Sequence, residues 1–334
     1  MSSTGHGRPP TSSPRPAFLI TIDTEGDDLW SAPREITTRN AAFLPRFQTL
    51  CERHGLKPTW LTNYEMAVSP VFREFAVDVL RRGTGEIGMH LHAWNSPPLS
   101  PLTSDDFRYQ PYLMEYPPGV IREKIGSLTA LLEGTFGIKM VSHRAGRWGM
   151  TPTYARELVA HGYTIDCSVT PHVSWQLAKG DPAEVGGSDY TRFPSDPYFV
   201  NLEDLSTPGD SPLLEVPMSI MPTGSGPIQR VVRALPRRSL AGRMAHYLFP
   251  PVAWLRPNGR NLRQMQRLLI EILREGRPYA EFMLHSSELM PGGSPTFRTE
   301  ASIEALYGDL EELFAGVSEA FVGETLREFG QRYR

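Results

Sequence analysis

The sequence predicts an α/β fold in which a parallel sheet curls toward a barrel, and three observations lead there. Apolar runs of strand length alternate with segments of helical period along most of the 334 residues, the pattern of a parallel sheet wrapped by helices. The strand runs are close to continuously apolar, as happens when both strand faces are covered. Finally, four short polar segments each follow such a run: Thr21-Ile22-Asp23-Thr24-Glu25, Gly88-Met89-His90-Leu91-His92, His143-Arg144-Ala145-Gly146-Arg147-Trp148-Gly149 and Leu284-His285-Ser286-Ser287-Glu288. Ligands bind at the carboxyl ends of strands in sheets of this kind. The four segments are therefore placed to meet at one mouth.

Element by element, Ala17 to Asp23 reads as the first strand and residues 38–54 as a helix stopped by Gly55. Pro58 opens the strand Thr59 to Thr62, and Val71 to Arg82 has helical periodicity up to Gly83. Glu86 to His92 is the third strand. A proline-heavy loop over 95–116 leads to a helix over about 120–136. Met140 to His143 is a strand, and Pro152 opens a helix reaching His161. Thr164 to Ser168 is a strand, and 169–212 is loop-like, rich in Pro, Gly, Asp and Ser. Leu213 to Val216, Tyr279 to His285 and Ala320 to Val322 read as strands; Asn261 to Glu275, Ile303 to Gly316 and Glu324 to Arg332 read as helices. Proline at a helix start and glycine just past its end is the asymmetry used throughout. Seven or eight such units suggest closure into a barrel, which typically takes about 250 residues. One domain over 17–334 is expected, with insertions at 95–116 and 169–260 and a disordered tail over 1–16.

Composition excludes several classes. At 40% hydrophobic and 21% charged residues the chain can bury a large core. Two cysteines, Cys51 and Cys167, give no disulfide framework. Met1 to Pro16 lacks the roughly 7–15-residue apolar segment of a secretory signal, and no run approaches the ~18 apolar residues of a spanning helix. A cytoplasmic location is expected. A net charge of −3 suggests no nucleic-acid partner. Its distribution is uneven: residues 216–270 hold nine arginines and no Asp, Glu or Lys. That stretch either pairs with the acidic remainder or meets phosphate or an anionic membrane surface.

The chemistry rests on spacing. Asp23 and Glu25, at i and i+2, share one side of an extended chain, which suits one carboxylate on a metal and the other beside it as a base. His90 and His92 have the same geometry, so both imidazoles can approach one ion. Histidines with a carboxylate suit Zn, with Co, Ni or Fe as alternatives, better than Mg or Ca. Asp27 and Asp28 read as loop residues, His143 as structural, and His172 as a loop residue outside the main site. Ser286, Ser287 and Glu288 are candidates to orient His285. No nucleophile elbow, P-loop or dinucleotide fingerprint is present.

With these motifs the sequence resembles the polysaccharide deacetylase superfamily (NodB homology, carbohydrate esterase family four and relatives) over roughly Phe18 to Phe329. The likeness is closest to a branch tied to bacterial surface-polysaccharide (O-antigen) biosynthesis. It is carried by Glu86 to Pro98, by Arg144-Ala145-Gly146-Arg147-Trp148-Gly149 and by Glu281 to Leu289. The resemblance implies a distorted (β/α)7 barrel, one divalent metal and hydrolysis of an N-acetyl group on a sugar. It makes Asp23 the catalytic base, Glu25 and His90 metal ligands, Arg144 the holder of the base and His285 the general acid. The family's second metal histidine lies four residues after the first, where this chain has Trp94, and His92 is the substitute. Trp94, Asn95, Arg147, Trp148 and Leu284 are candidate substrate contacts. The substrate implied is an acetylated sugar or glycan, and the lack of a signal-like segment favours a nucleotide- or lipid-linked one. Competing readings are a non-catalytic glycan-binding relative, a metal-dependent amidase acting on a non-sugar amide, and an amidohydrolase-type barrel. The last expects His-x-His on its first strand, whereas here the pair falls on the third.

Overall fold

The structure, a computed structural model, describes residues 15–224 and 251–333, together with 231, 232, 235, 239, 240, 242 and 244 between them. Its strands are β1 (Ala17–Thr24), β2 (Pro58–Thr62), β3 (Glu86–Leu91), β4 (Ser142–Ala145), β5 (Ile165–Asp166), β6 (Tyr198–Phe199), β7 (Leu214–Glu215), β8 (Ile220–Pro222), β9 (Val252–Trp254), β10 (Tyr279–His285) and β11 (Val322–Glu324). The main sheet runs β10-β1-β2-β3-β4-β5-β7-β6. The first seven strands of that order are parallel, and β6 is antiparallel at the edge. β11 pairs with Ala17 to Leu19, and β2 takes over from Ile20 upward.

No ladder joins β7 to β10 among the described residues; the gap is spanned by the flanks of the β8–β9 hairpin. Glu281 N donates to Ser219 Oγ at 2.8 Å and Met283 N to the Leu255 carbonyl at 3.2 Å. The Tyr279 hydroxyl donates to the Pro217 carbonyl. The fold is thus a distorted α/β barrel, curled rather than evenly closed.

The helices are α1 (Leu44–Arg53), α2 (Tyr64–Val68), α3 (Pro70–Arg82), α4 (Asp106–Tyr109), α5 (Pro118–Phe136), α6 (Pro152–Ala160), α7 (Leu262–Glu275), α8 (Glu300–Ala320) and α9 (Leu326–Tyr333). Proline opens α3, α5 and α6, where its missing N–H costs nothing. Gly83 and Gly276 end α3 and α7 at φ 65°, the left-handed cap that side chains disfavour. None of the described helices is long and apolar enough to cross a membrane.

Some boundaries moved for local reasons. The helix expected over 38–54 begins with a 3-10 turn, Arg39–Phe43, because the Asp27 carboxylate gathers the backbone N–H groups of Arg39 and Asn40. The helix expected from Ile303 starts at Glu300, since the Thr299 side chain accepts from Ser302 N. Within 169–212 the only strand among the described residues is β6.

Strand alternation divides the buried residues. One set fills the space between the sheet and the helices, including Phe18, Ile20, Ile22, Phe282 and Leu284. A second fills the barrel floor: Ala17, Leu19, Leu61, Ile165, Cys167, Leu214, Val216 and Tyr279, capped by Leu326 and Phe329 of α9. Above that floor the inward positions turn polar. Both cysteines are buried and unpaired.

Candidate metal and active site

β1 delivers Asp23 and Glu25 to the mouth on its inward face, and β3 delivers His90 and His92 beside them. Glu25 Oε2 lies 3.6 Å from His90 Nε2 and 3.4 Å from His92 Nε2, and the two Nε2 atoms are 3.0 Å apart. All three residues are buried, and their ligand atoms lie within 4.8 Å of one another. His285, from the end of β10, points in from the other side, with Nε2 3.7 Å from Asp23 Oδ2 and 3.9 Å from Glu25 Oε1. Asp23 Oδ2 is also 3.9 Å from His90 Nε2. The five groups face one small volume.

The donor set fits a divalent cation. His90 Nδ1 donates to the Arg144 carbonyl at 2.9 Å, which directs Nε2 at Glu25 and His92; burial would lower the His90 pKa, but Asp23 and Glu25 raise it, so a bound cation would displace a proton there. His92 presents Nε2 to the same point, while its buried Nδ1 has no partner. Burial first, then the neighbouring His90, holds the His92 pKa well below the usual range, so its imidazole is neutral as a ligand must be. One carboxylate and two imidazoles suit a borderline ion such as Zn²⁺.

Arg144, fully buried on β4, gathers the carboxylates around it. Its Nη1 donates to Asp23 Oδ1 at 2.7 Å, Nε to the Cys167 carbonyl at 3.0 Å, and Nη2 to Thr21 Oγ1 at 2.8 Å and to Glu281. Burial alone would raise the Asp23 pKa, but Arg144, then His90 and His285, reverse that and hold it well below the usual carboxylate range. For Glu281 burial prevails, and its pKa is pushed up to about 7 despite Arg144. One guanidinium faces two carboxylates, and Asp23 keeps the charge.

His285 is held from behind. Its Nδ1 lies 3.1 Å from Glu288 Oε2 and 3.0 Å from Arg256 Nη2. Glu288 also accepts from the His285 backbone N–H at 2.9 Å. Despite burial, Arg256 and His285 pull the Glu288 pKa down to about 2. As an imidazolium His285 donates Nδ1–H to Glu288; as the neutral Nε2–H tautomer it accepts from Arg256. Both protonation states are thereby supported. The Trp30 ring stands edge-on to His285 at 4.9 Å and is 43% exposed, so it marks the mouth.

The remaining sequence candidates separate. Trp94 stacks on His92 at 4.3 Å and 19° and is 6% exposed, which steadies the imidazole. Asn95 donates to Glu65 Oε2 at 2.9 Å. Glu65 in turn accepts from Gly26 N at 2.8 Å, just past Glu25. Trp148 is nearly buried, 4.8 Å from the Arg144 guanidinium carbon. Arg147 is a correction: its guanidinium reaches the Gln110 and Lys179 carbonyls and lies over Tyr112, so it ties two loops together. Leu284 is another correction. Glu281 and His285 point inward, so Leu284 takes the opposite face of β10 and is fully buried in the outer core. Met283, two residues from each of them, shares the inward face, and the period-two rule applied to β10 would have found it. Asp27 ties the 37–40 loop, His143 is bonded between Asp166 and Tyr154, and His172 is an exposed loop residue. Thr21, Glu65, Glu281 and Arg256 were not anticipated at the site. Arg256 belongs to the Arg-rich stretch, in which Arg230, Arg233, Arg237, Arg238 and Arg243 lie outside the described residues.

No family model matches the chain, and no curated protein matches it. Solved structures do. A candidate polysaccharide deacetylase from Mycobacterium smegmatis aligns over 98% of this chain and 94% of its own, with TM-score 0.53 and 15% identity. A candidate glycoside hydrolase/deacetylase from Parabacteroides distasonis aligns over 96% and 72%, with TM-score 0.59 and 13% identity. The chain has the polysaccharide deacetylase fold. The 4-alpha-glucanotransferase from Thermococcus litoralis also aligns, over 96% of this chain but 41% of its own, at TM-score 0.53 and 15% identity. The polysaccharide deacetylase fold therefore also resembles part of a transferase, and the site residues, not the fold, must decide the chemistry.

Proposed function

We propose that this protein is a metal-dependent hydrolase that removes an N-acetyl group from a sugar or glycan in surface-polysaccharide biosynthesis, with 17–334 acting as one catalytic domain. The observation that carries the reading is the meeting of Glu25, His90 and His92 with the Asp23–Arg144 pair and His285 around one buried point. Glu25, His90 and His92 would hold the ion, Zn²⁺ by donor type. When bound, such an ion lowers the pKa of a coordinated water toward about 7 and polarises a carbonyl.

Asp23, kept ionised by Arg144, takes the proton of the attacking water. His285, positioned by Glu288 and Arg256, gives a proton to the departing sugar amine. Trp30, Trp94 and Trp148 shield the centre from bulk water, which strengthens each of these interactions. The motifs shared with the surface-polysaccharide branch support an acetylated glycan, and the Arg-rich 216–270 stretch supports an anionic nucleotide or lipid carrier or membrane surface.

The test is metal content together with acetate release. Purified protein should hold about one equivalent of divalent metal and release acetate from N-acetylated oligosaccharides, and a chelator should abolish release. Protein without metal that still binds such sugars would make it a glycan-binding relative instead.

A further inference from the structure

The two histidines of the candidate metal site are held in different ways. His90 has a hydrogen bond behind it, from Nδ1 to the Arg144 carbonyl at 2.9 Å. A ligating imidazole is ordinarily fixed by such a bond on its second nitrogen. His92 lacks one: its buried Nδ1 has no hydrogen-bond partner. Packing holds this ring instead. Trp94 lies nearly parallel to it, 4.3 Å away at 19°, and Gly146 stands so close that a Cβ there would collide with His92 Cδ2.

A flat plate orients a ring only if the plate is itself fixed. Trp94 lies in the segment that follows β3, and two groups pin that segment just beyond it. The Asn95 side chain donates to Glu65 Oε2 at 2.9 Å. Lys124 of α5 donates from Nζ to the carbonyls of Ser96 and Pro98, each at 2.7 Å.

Lys124 is a costly residue to place there. It is fully buried, beside Ile121, Ile125 and Leu128 of the same helix. Burial pushes its pKa down to about 8, with Asp106 the charge that opposes the fall. The Asp106 carboxylate is itself taken up by the N–H groups of Leu102 and Thr103 and the hydroxyls of Thr103 and Tyr116. A buried ammonium without an ion-pair partner costs free energy that an apolar side chain would not. What it supplies is a charge-assisted grip on two carbonyls, stronger than a neutral donor gives.

We propose that Lys124 positions His92, acting through the 96–98 backbone and the Trp94 indole. The grip on the backbone replaces, at one remove, the hydrogen bond that His92 lacks. The inference rests on the proposed function for the ion, whereas the orientation of the ring is measurable without one.

The test compares wild type, Lys124→Met, Trp94→Leu and the double variant, titrated with Co²⁺ and, in competition, with Zn²⁺. Trp94→Leu should lower affinity about 10–100-fold and Lys124→Met about tenfold, each with altered Co²⁺ visible bands. The double variant should bind no more weakly than Trp94→Leu alone, because both changes break one path. Trp94→Phe, which keeps a flat ring, should stay near wild type. In metal-free protein with isotope-labelled histidine, the His92 ring protons should resonate upfield under the indole and move downfield in Lys124→Met. Circular dichroism melting is the folding control, and Lys124→Gln takes the place of Lys124→Met if the latter does not fold. A lysine that only fastens the loop would lower the melting temperature and leave affinity, bands and His92 shifts unchanged. That result, or losses that add in the double variant, overturns the proposal. Wild-type protein that binds neither ion overturns the metal reading, and the His92 shifts then decide alone whether Lys124 sets the ring.

Discussion

The floor and the mouth of the barrel are built by the same strands, yet they solve opposite problems. On β1 the inward side chains are Ala17 and Leu19 below and Thr21 and Asp23 above; on β10 they are Tyr279 below and Glu281, Met283 and His285 above. The floor removes apolar surface from water, at about 1.5–3 kcal/mol for a large side chain. The mouth buries ionisable groups, which costs free energy unless each is paired. Gly88 marks the boundary on β3: a Cβ there would sit 2.8 Å from Leu61 Cδ2 of the floor and 2.8 Å from the Ser142 carbonyl. Below it, burial stabilises without chemistry. Above it, chemistry is held in place at the expense of stability.

The sharpest break in that comparison should come at Asp23. Asp23→Asn keeps the shape and the Arg144 contact but removes the proposed base, so acetate release should fall about 10²–10⁴-fold. Its melting temperature should stay near wild type, because Glu281 remains to face Arg144. Wild-type turnover in this variant would remove Asp23 from its role.

Stability variants should then separate the two levels. Arg144→Met leaves Asp23 and Glu281 buried without their shared partner and should cost about 3–5 kcal/mol in urea unfolding, with turnover lost. Leu19→Ala in the floor should cost a comparable amount, about 2–5 kcal/mol, while the folded fraction keeps its turnover. Equal loss of specific activity in both would mean that floor and mouth are one functional unit.

Much of this division was legible in the sequence, because strand alternation is a local rule. Asp23, Glu25, His90, His92, Arg144 and His285 lie at strand ends and could be read directly. The misplaced contacts have physical reasons. Leu284 adjoins His285 in sequence, but neighbours on a strand point to opposite faces. Arg147 adjoins Arg144 in its motif, but a left-handed backbone at φ 55° turns it toward the loops. Glu65 and Arg256 reach the site from α2 and from the segment after β9, through chain paths that no local pattern encodes. Residues 169–212 were read as loop, yet their course past Trp175, whose Nε1 donates to Thr170 Oγ1, depends on tertiary contacts.

A subtler difference between the levels is that the mouth should respond to pH. Burial, with a further push from Glu25, raises the Glu65 pKa from its ordinary 4.5 to about 7. A carboxyl raised in this way binds more protons folded than unfolded between those values. Its stabilising effect is therefore complete at low pH and lost as pH rises through about 7, up to about 3 kcal/mol. Urea unfolding of metal-free protein at pH 5 and pH 8 should show that decline, and Glu65→Gln should flatten it. Glu281, also pushed to about 7, should leave a residual slope, to which Glu86 and Glu215, both raised by burial, add with the same sign. An unchanged slope in Glu65→Gln would place the effect elsewhere.

The smallest expected effect tests how the mouth is tied together. Ser286 Oγ accepts from the Glu25 N–H at 3.0 Å and donates to the Glu25 carbonyl at 3.1 Å, joining the ends of β1 and β10 across the site. Ser286→Ala leaves both backbone groups buried without this partner, a cost of about 1–3 kcal/mol. Glu25 would keep Asn40 Nδ2 on its carbonyl at 2.9 Å but lose the hold on its N–H, and removing a group that orients a ligand typically lowers metal affinity about 10–100-fold. A fall near the lower end is expected, since His90 and His92 are held independently on β3. Zinc competition titration reads the affinity and thermal unfolding the stability. If stability drops with affinity intact, the serine is a clasp between strands and nothing more; if both drop, the fold of the mouth and the hold on the ion share one hydrogen-bonded joint.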